Sequence, residues 1–498
     1  MFRKVLIANR GEIAVRVIRT LREMGITSVA VYSDADRASL HVRLADEAEH
    51  VGPSPSAESY LRIDRILDAA RKHGAEAIHP GYGFLSENAE FAAACEDAGL
   101  VFIGPSAASI RALGSKTEAR RHAIGAGTPV VPGTDGAVTL EGARAFGREH
   151  GYPIMLKAVA GGGGKGMRAI MREEELESAL REAASEAERA FGDAAIYVEK
   201  LIEQPRHIEI QLLGDRHGNM VHLGERECSI QRRHQKLVEE SPSPLVAAHP
   251  EMRHAMGEAA IRAAQAARYY NAGTVEFLVD RDRRFYFLEV NTRLQVEHPV
   301  TELVTGLDLV RLQVEIAAGA RLPFSQEEVT WRGSAIECRI YSEDPYNDFL
   351  PFPGKITRLR RPMGPGIRLD ACVYPGWTVP MEYDPLLAKL VVWSGRRDES
   401  IARMIRALGE YDVGGIRTNI SFFRQILDAP EFRAGHLHTG FIDEFLAHHR
   451  PPSPPADLAA IAALTAALDH MARGAGQPQV AANGTSPWLS AGRQEVMR

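Results

Sequence analysis

Thr274-Val275-Glu276-Phe277-Leu278-Val279 and Phe285-Tyr286-Phe287-Leu288-Glu289-Val290-Asn291 are two β-rich runs around the polar stretch Asp280 to Arg284. That is the pattern of an antiparallel hairpin. The alternation continues through Thr292-Arg293-Leu294-Gln295-Val296-Glu297. In an extended chain Glu289, Asn291, Arg293, Gln295 and Glu297 share one side, while Val290, Leu294 and Val296 take the other. With Glu276 on the neighbouring strand, these carboxylates and the amide are hard oxygen ligands suited to Mg²⁺ or Mn²⁺ bridging nucleotide phosphates. A solvated strand face with paired charges would give the same pattern in isolation. At roughly 3.3 Å per residue the row is too long for one site. A bend is therefore expected after Asn291, dividing a metal half from a substrate half.

Upstream lies the feature that favours ligands over a solvated face. Ala160-Gly161-Gly162-Gly163-Gly164-Lys165-Gly166-Met167 separates two strands, Ile154 to Val159 and Met167 to Met171. So many glycines cost backbone entropy, which is understandable where N–H groups must approach a phosphate closely. No Ser or Thr follows the lysine and a strand follows the glycines, so this is a hairpin flap and not a P-loop. Lys157, near the end of the first strand, is placed to reach the same phosphates. A long polar helix is expected from Glu173 to Ala190.

Two further segments carry chemistry. Arg206-His207-Ile208-Glu209-Ile210-Gln211 reads as a strand with His207, Glu209 and Gln211 on one face. Its HxE has no accompanying CxxC, which excludes a deaminase-type zinc site. Gln231-Arg232-Arg233-His234-Gln235-Lys236 is a basic cluster too short and too poor in aromatics for nucleic acid, and it reads as an anion site. Only nine of the 59 basic residues are lysine. Either composition has drifted, or each surviving lysine, Lys236 included, marks a position that wants a compact ammonium.

The N-terminal third alternates strand and helix. Lys4 to Ala8 is a strand, Gly11 allows the turn, Ile13, Val17, Ile18 and Leu21 mark a helical stripe, and Ser28 to Tyr32 is the next strand. A doubly wound parallel sheet is the class expected. Asn9-Arg10-Gly11-Glu12 is not a GxGxxG turn, so a dinucleotide site there is weakly supported. His79-Pro80-Gly81-Tyr82-Gly83-Phe84-Leu85-Ser86-Glu87-Asn88 leads into a helix that Ser86 or Asn88 would cap. Tyr82 between two glycines is either connection chemistry or a ligand-facing aromatic.

The 498 residues correspond to about three domains. A net charge of −6 gives no basic field for nucleic acid or anionic membrane. The Leu458 to Leu468 run is too short to span a bilayer, and the start has no secretory pattern. Cys95, Cys228, Cys338 and Cys372 form no CxxC pair, compatible with a reducing, cytoplasmic setting. After Arg450 a Pro-rich linker leads into an Ala-rich stretch and a polar end.

Together the Ile7 to Ala14 run, the His79 to Asn88 run, the glycine loop, Gln231 to Lys236 and Glu289 to His298 resemble the biotin carboxylase family of the ATP-grasp superfamily over residues 2 to 446. The resemblance implies an α/β and α+β chain. Its divisions would be a Rossmann-like domain at 1–112, a helical linker at 113–129, an ATP-grasp lid with the glycine-rich loop at 130–201 and a C-terminal catalytic domain at 202–449, while the Pro/Ala-rich tail at 450–498, expected to be partly disordered, has no counterpart in the family pattern. It implies ATP-dependent carboxylation of carrier-borne biotin by bicarbonate through carboxyphosphate. Lys116, Lys157, Gly162, Gly163, Gly164 and His234 would hold phosphates, and Glu199, Lys200, Ile202, His207, Gln231 and Leu278 would line the nucleotide pocket. Glu276 and Glu289 would meet both ATP and metal, with Asn291 completing the ligands of two Mg²⁺ or Mn²⁺. Lys236, Arg293, Gln295 and the Val296 backbone would hold bicarbonate, Glu297 would be the general base, and Arg339 and Tyr82 would face biotin. No methionine precedes a lysine, so the family's biotinylated Met-Lys-Met is missing. The expected partners are then a separate carrier protein, a second copy of the chain and a carboxyltransferase subunit. Acetyl-CoA, propionyl-CoA and pyruvate all stay open as acceptors. Another ATP-grasp carboxylate–amine ligase would share the metal half without needing Arg293, Gln295, Glu297 and Arg339 together, and a non-catalytic ATP-binding subunit would need none of them.

Overall fold

The computed structural model describes residues 1–159, 167–449 and 457–474. Residues 1–447 gather into one compact unit and 448–498 into a second.

β1 (Lys4–Ile7), β2 (Thr27–Ser33), β3 (Glu47–Gly52), β4 (Ala77–His79) and β5 (Val101–Phe102) form an all-parallel sheet in the order β3-β2-β1-β4-β5. Successive side chains of β1 point to opposite faces. Val5 and Ile7 pack with Ile13, Val17 and Leu21 of the helix Gly11–Glu23. Leu6 and Ala8 join Ile66 and Phe91 on the other face. Both faces are covered, so the doubly wound class expected from the alternation is the one found. Asn88, not Ser86, caps the helix Ala89–Asp97, accepting from Phe91 N at 2.7 Å. The loop before it is tied down by Asn9 Nδ2, which donates to the carbonyls of Pro80 and Tyr82 at 2.7 and 2.8 Å. Gly81 is needed there: its φ is +63°, and a Cβ would sit 2.8 Å from Asn9 Nδ2.

A three-stranded antiparallel sheet follows, order β7-β6-β8, from β6 (Ile154–Ala158), β7 (Met167–Ile170) and β8 (Ile196–Lys200). Its core is its own: Ile154, Leu156, Ile170, Ile196 and Val198 pack on Leu176, Ala183 and Ala187. The polar helix runs Leu176–Phe191, and Glu173–Glu175 before it is a 3₁₀ turn.

The largest sheet combines β9 (Arg206–Gly214), β10 (Met220–Arg232), β11 (Gln235–Ser241), β12 (Asn271–Val279), β13 (Phe285–Asn291) and β14 (Ser334–Tyr341). Two short ribbons pair β15 (Glu343–Asp344) with β16 (Leu350–Pro351) and β17 (Arg358–Arg360) with β20 (Asp412–Gly414). β18 (Ile367–Ala371) and β19 (Leu386–Ser394) complete the large antiparallel sheet, order β13-β12-β9-β10-β11-β14-β19-β18. The β12–β13 hairpin is as expected, with a bulge between the Glu276–Glu289 and Phe277–Phe287 pairs. In the second unit a helix occupies Leu458–Gly474. Among the described residues no helix is long and apolar enough to cross a membrane.

Candidate active site

Antiparallel register writes a charged row across four strands. Arg226 on β10 faces Glu209 on β9, Glu209 faces Glu276 on β12, and Glu276 faces Glu289 on β13. Carboxylates directly opposite one another repel, so the row needs cations. Arg226, fully buried, supplies one: it pairs with Glu209 and donates to Gln211 Oε1 at 2.6 Å and to Thr274 and Thr301 Oγ1 at 3.0 Å. Lys236 supplies the next. Its Nζ lies 2.6 Å from Glu209 Oε2, 2.8 Å from Glu276 Oε1 and 2.7 Å from Glu297 Oε1. Burial pulls the Lys236 ammonium down, but the three carboxylates outweigh it and hold it well above its ordinary range.

β13 ends at Asn291, and the chain turns there as expected. The expected metal and substrate halves lie close together across that turn. Gln295 Nε2 returns to within 3.3 Å of Glu276 Oε1, while Asn291 Nδ2 donates to the same oxygen at 2.9 Å. Both halves therefore reach the same oxygen of Glu276. Arg293 bridges them, donating to Gln295 Oε1 at 2.9 Å and Asn291 Oδ1 at 3.1 Å. From the first sheet's loop Glu87 holds Arg293 Nε at 2.8 Å and accepts from Thr292 N at 2.8 Å.

Glu297 is fully buried between two cations: Lys236 on Oε1, and Arg339 Nη2 at 2.9 Å from Oε2. Burial raises a carboxyl pKa, yet Lys236, Arg339 and Arg226 draw Glu297 well below the carboxylate range. Glu276 is held low in the same way, by Lys236 and by His207, whose Nε2 lies 2.9 Å away. His207, Glu209 and Glu276 each bring one ligand atom within 4.8 Å of the others, and so do Glu209, Cys228 and Glu297. The carboxylates of both groups bond Lys236 Nζ.

Arg339 on β14 faces Lys389 on β19. Lys389, buried and another of the scarce lysines, donates to the Val296 carbonyl at 2.8 Å, lies 3.3 Å from Glu12 Oε1, and stands 5.6 Å from the centre of the Tyr82 ring. The Tyr82 hydroxyl is buried and accepts or donates no hydrogen bond among the described residues. Gln231 faces Lys236 across the β10–β11 hairpin, and Leu278 faces His207.

The remaining expected residues lie elsewhere. Lys157 pairs with Glu199 within the three-stranded sheet, where Arg120 reaches Glu199 at 3.6 Å. Lys200 Nζ donates to the Gly151 carbonyl at 2.9 Å, so its side chain serves that sheet and not the carboxylate cluster. Ile202 is half-buried just beyond β8. His234 is exposed at the two-residue hairpin turn, where it and Arg233 both take positive φ. Gly162, Gly163, Gly164 and the Lys116 side chain lie outside the described residues. Sequence reasoning gave no role to Glu87, Glu209, Arg226, Glu239, Glu337 or Lys389. Of these, only Lys389 (by its rarity) and Glu209 (by its strand face) left a signal.

An ammonium is thus shared by three carboxylates, one of which is also clamped by an arginine. Family models agree along the chain: the biotin carboxylase N-terminal domain matches residues 1–110, the carbamoyl-phosphate synthase L chain ATP-binding domain 115–325, and the biotin carboxylase C-terminal domain 337–444. The chain belongs to the biotin carboxylase family. It is 53% identical over 446 residues to a pyruvate carboxylase subunit of Methanothermobacter thermautotrophicus, covering 89% of this chain and 90% of that one. It is 51% identical over 447 residues to biotin carboxylase 1 of Bacillus subtilis, covering 89% and 99%. The biotin carboxylase domain dimer of Hydrogenobacter thermophilus 2-oxoglutarate carboxylase, solved with MgADP, ADP and bicarbonate, superposes with a TM-score of 0.84 at 48% identity, covering 89% of this chain and 98% of that one. This biotin carboxylase chain is a ligase, and its reaction is the ATP-dependent carboxylation of biotin.

Proposed function

We propose that Glu297 takes the bicarbonate proton and that Arg339 and Tyr82 face the ureido group of biotin. Lys236, Arg293, Gln295 and the Val296 backbone hold bicarbonate in this reading. ATP is held by Lys116, Lys157, Gly162, Gly163, Gly164, Glu199, Lys200, Ile202, His207, Gln231, His234 and Leu278. Glu276, Glu289 and Asn291 hold two Mg²⁺ or Mn²⁺, whose chemistry is to neutralise charge on the phosphates. The donors fit hard cations: all are oxygens, and the directly opposed Glu276 and Glu289 gain from a positive charge between them.

The observation that carries the reading is Glu297 held between Lys236 and Arg339. A carboxylate held that low is a weak base. An anion that draws Lys236 toward itself loosens this grip, so basicity rises when bicarbonate is present. The proton passes from bicarbonate to Glu297, and the bicarbonate oxygen attacks the γ-phosphorus with ADP leaving. Carboxyphosphate then breaks down to CO₂ and phosphate. The phosphate takes the N1 proton of biotin while Arg339 stabilises the enolate-like oxygen, and N1 attacks CO₂. Biotin arrives on a separate carrier, and a carboxyltransferase subunit fixes the acceptor. The chain works as a dimer. The subunit name of the Methanothermobacter relative and the dimer of the Hydrogenobacter domain support this. The test is ATP cleavage followed against bicarbonate with free biotin supplied. Dependence on both supports the reading, and cleavage indifferent to either overturns it.

A further inference from the structure

Behind Arg339 lies a group the reaction above does not use. Glu239 on β11 and Glu337 on β14 are direct cross-strand partners, and Arg339 is two residues along β14 on the same face. Both glutamates are fully buried. Glu239 Oε1 accepts from Arg339 Nε at 2.5 Å. Glu239 Oε2 and both Glu337 oxygens are buried with no hydrogen-bond partner among the described residues. An ionised carboxylate without donor or solvent is among the costliest groups an interior can hold. Two opposed carboxyls relieve that cost by keeping one proton between them. A proton on Glu337 turns it into a donor, and the acceptor standing opposite is the unpaired oxygen of Glu239. One proton thus gives a partner to Glu239 Oε2 and to one of the two Glu337 oxygens.

We propose that Glu337 is protonated and donates to Glu239, and that this carboxyl pair positions Arg339 for biotin. The proposal rests on the assignment of Arg339 to biotin. Charge directions agree. Burial pushes Glu337 well above the carboxylate range against the pull of Lys389, with Glu239, Arg339 and Glu297 also facing it. Burial pushes Glu239 to about 7 although Arg339 draws it down. Glu337 is thus the one to hold the proton. The consequence for turnover is direct. Arg339 is gripped by Glu297 on one nitrogen and by Glu239 on another. When Glu297 accepts the bicarbonate proton it loses its charge and its grip, while Glu239 keeps its bond to Arg339 Nε, with Glu337 donating to its other oxygen. The guanidinium then remains in place with one edge released toward the ureido oxygen.

Glu337 is a positioning residue, and infrared difference spectroscopy tests its proton directly. The parent minus Glu337→Gln spectrum at neutral pH should contain a protonated-carboxyl C=O band; its absence means Glu337 is ionised and overturns the proposal. In steady state, Glu337→Leu should lower biotin-dependent kcat about tenfold and raise the biotin KM more than the ATP KM. Glu337→Gln keeps an N–H for Glu239 and should recover to within about threefold of the parent. If Glu337→Gln is as impaired as Glu337→Leu, donation to Glu239 is not what the site requires. The underlying assignment fails separately, and whatever the infrared result, if Arg339→Met keeps the parent's kcat and KM for biotin.

Discussion

Glu209 and Glu276 stand directly opposite each other on neighbouring strands, and one ammonium, Lys236 Nζ, bonds both at 2.6 and 2.8 Å. Repulsion between like charges is thereby converted into a socket that only a cation fills. Lys236→Met should be costly twice over. Breaking a buried charge pair typically destabilises by about 3–5 kcal/mol, which urea unfolding would register, and bicarbonate-dependent ATP cleavage should disappear. A variant as stable as the parent would mean that the carboxylates find another counterion.

Glu297→Gln should keep MgATP affinity and lose bicarbonate-dependent turnover by about 10²–10⁴-fold, the usual cost of removing a general base. Glu289→Gln should instead weaken metal-dependent ATP use, because it removes a ligand charge. Titrating ATP and bicarbonate against both variants separates the roles. If Glu297→Gln loses MgATP as severely as Glu289→Gln, then Glu297 belongs with the metal ligands.

Glu87 is expected to act through Arg293, whose Nε it holds at 2.8 Å. Glu87→Gln should raise the bicarbonate KM about tenfold and change kcat much less. A bicarbonate saturation curve superimposable on the parent's would show that Arg293 is held well enough by Gln295 and Asn291.

Asp36 gives a pH prediction away from the chemistry. Burial raises its pKa, but Arg10 (2.5 and 2.8 Å), the nearby His41 and Tyr60 (2.6 Å) bring it to about 2. A depressed carboxyl contributes stability that is present above its unfolded pKa and lost as pH falls through the folded one. The stability difference between parent and Asp36→Asn should therefore be flat above about pH 5 and shrink by roughly 2 kcal/mol on acidification toward pH 2. Denaturant melts of both proteins across that range would check it; a difference independent of pH would show that Asp36 carries no such linkage.

What the sequence disclosed follows from what is local. Alternation in 274–297 reveals a hairpin and the side each residue takes, and the Val5–Ile7 and Leu6–Ala8 faces reveal a sheet covered twice. The bend after Asn291 was legible from length alone; the contact of Gln295 with Glu276 was not, because nothing in residues 292–295 encodes where Glu276 stands. Arg226, Glu239 and Glu337 were silent for a related reason. Each is one charge in an ordinary strand, and its meaning comes from a partner fixed by the register of another strand: Glu209 for Arg226, and Arg339 for the two glutamates. His234 and Lys200 were legible by residue type alone, and the structure adds only their settings: His234 stands exposed at a turn tip, and Lys200 Nζ donates to the Gly151 carbonyl.

The row Arg226–Glu209–Glu276–Glu289 also acts on assembly of the fold itself. A one-residue slip in a strand turns every side chain to the opposite face. Slipping β9 would drive Glu209 away from Lys236 and Arg226 and bring Ile208 or Ile210 to face them, taking from buried Arg226 the carboxylate it pairs with and from Lys236 one of its three. Mispairing is thus penalised by stranded charge as well as by lost apolar contact. The charged row that anchors Lys236 doubles as a proofreading mark, by which the central strands of the sheet distinguish their correct alignment from its near neighbours.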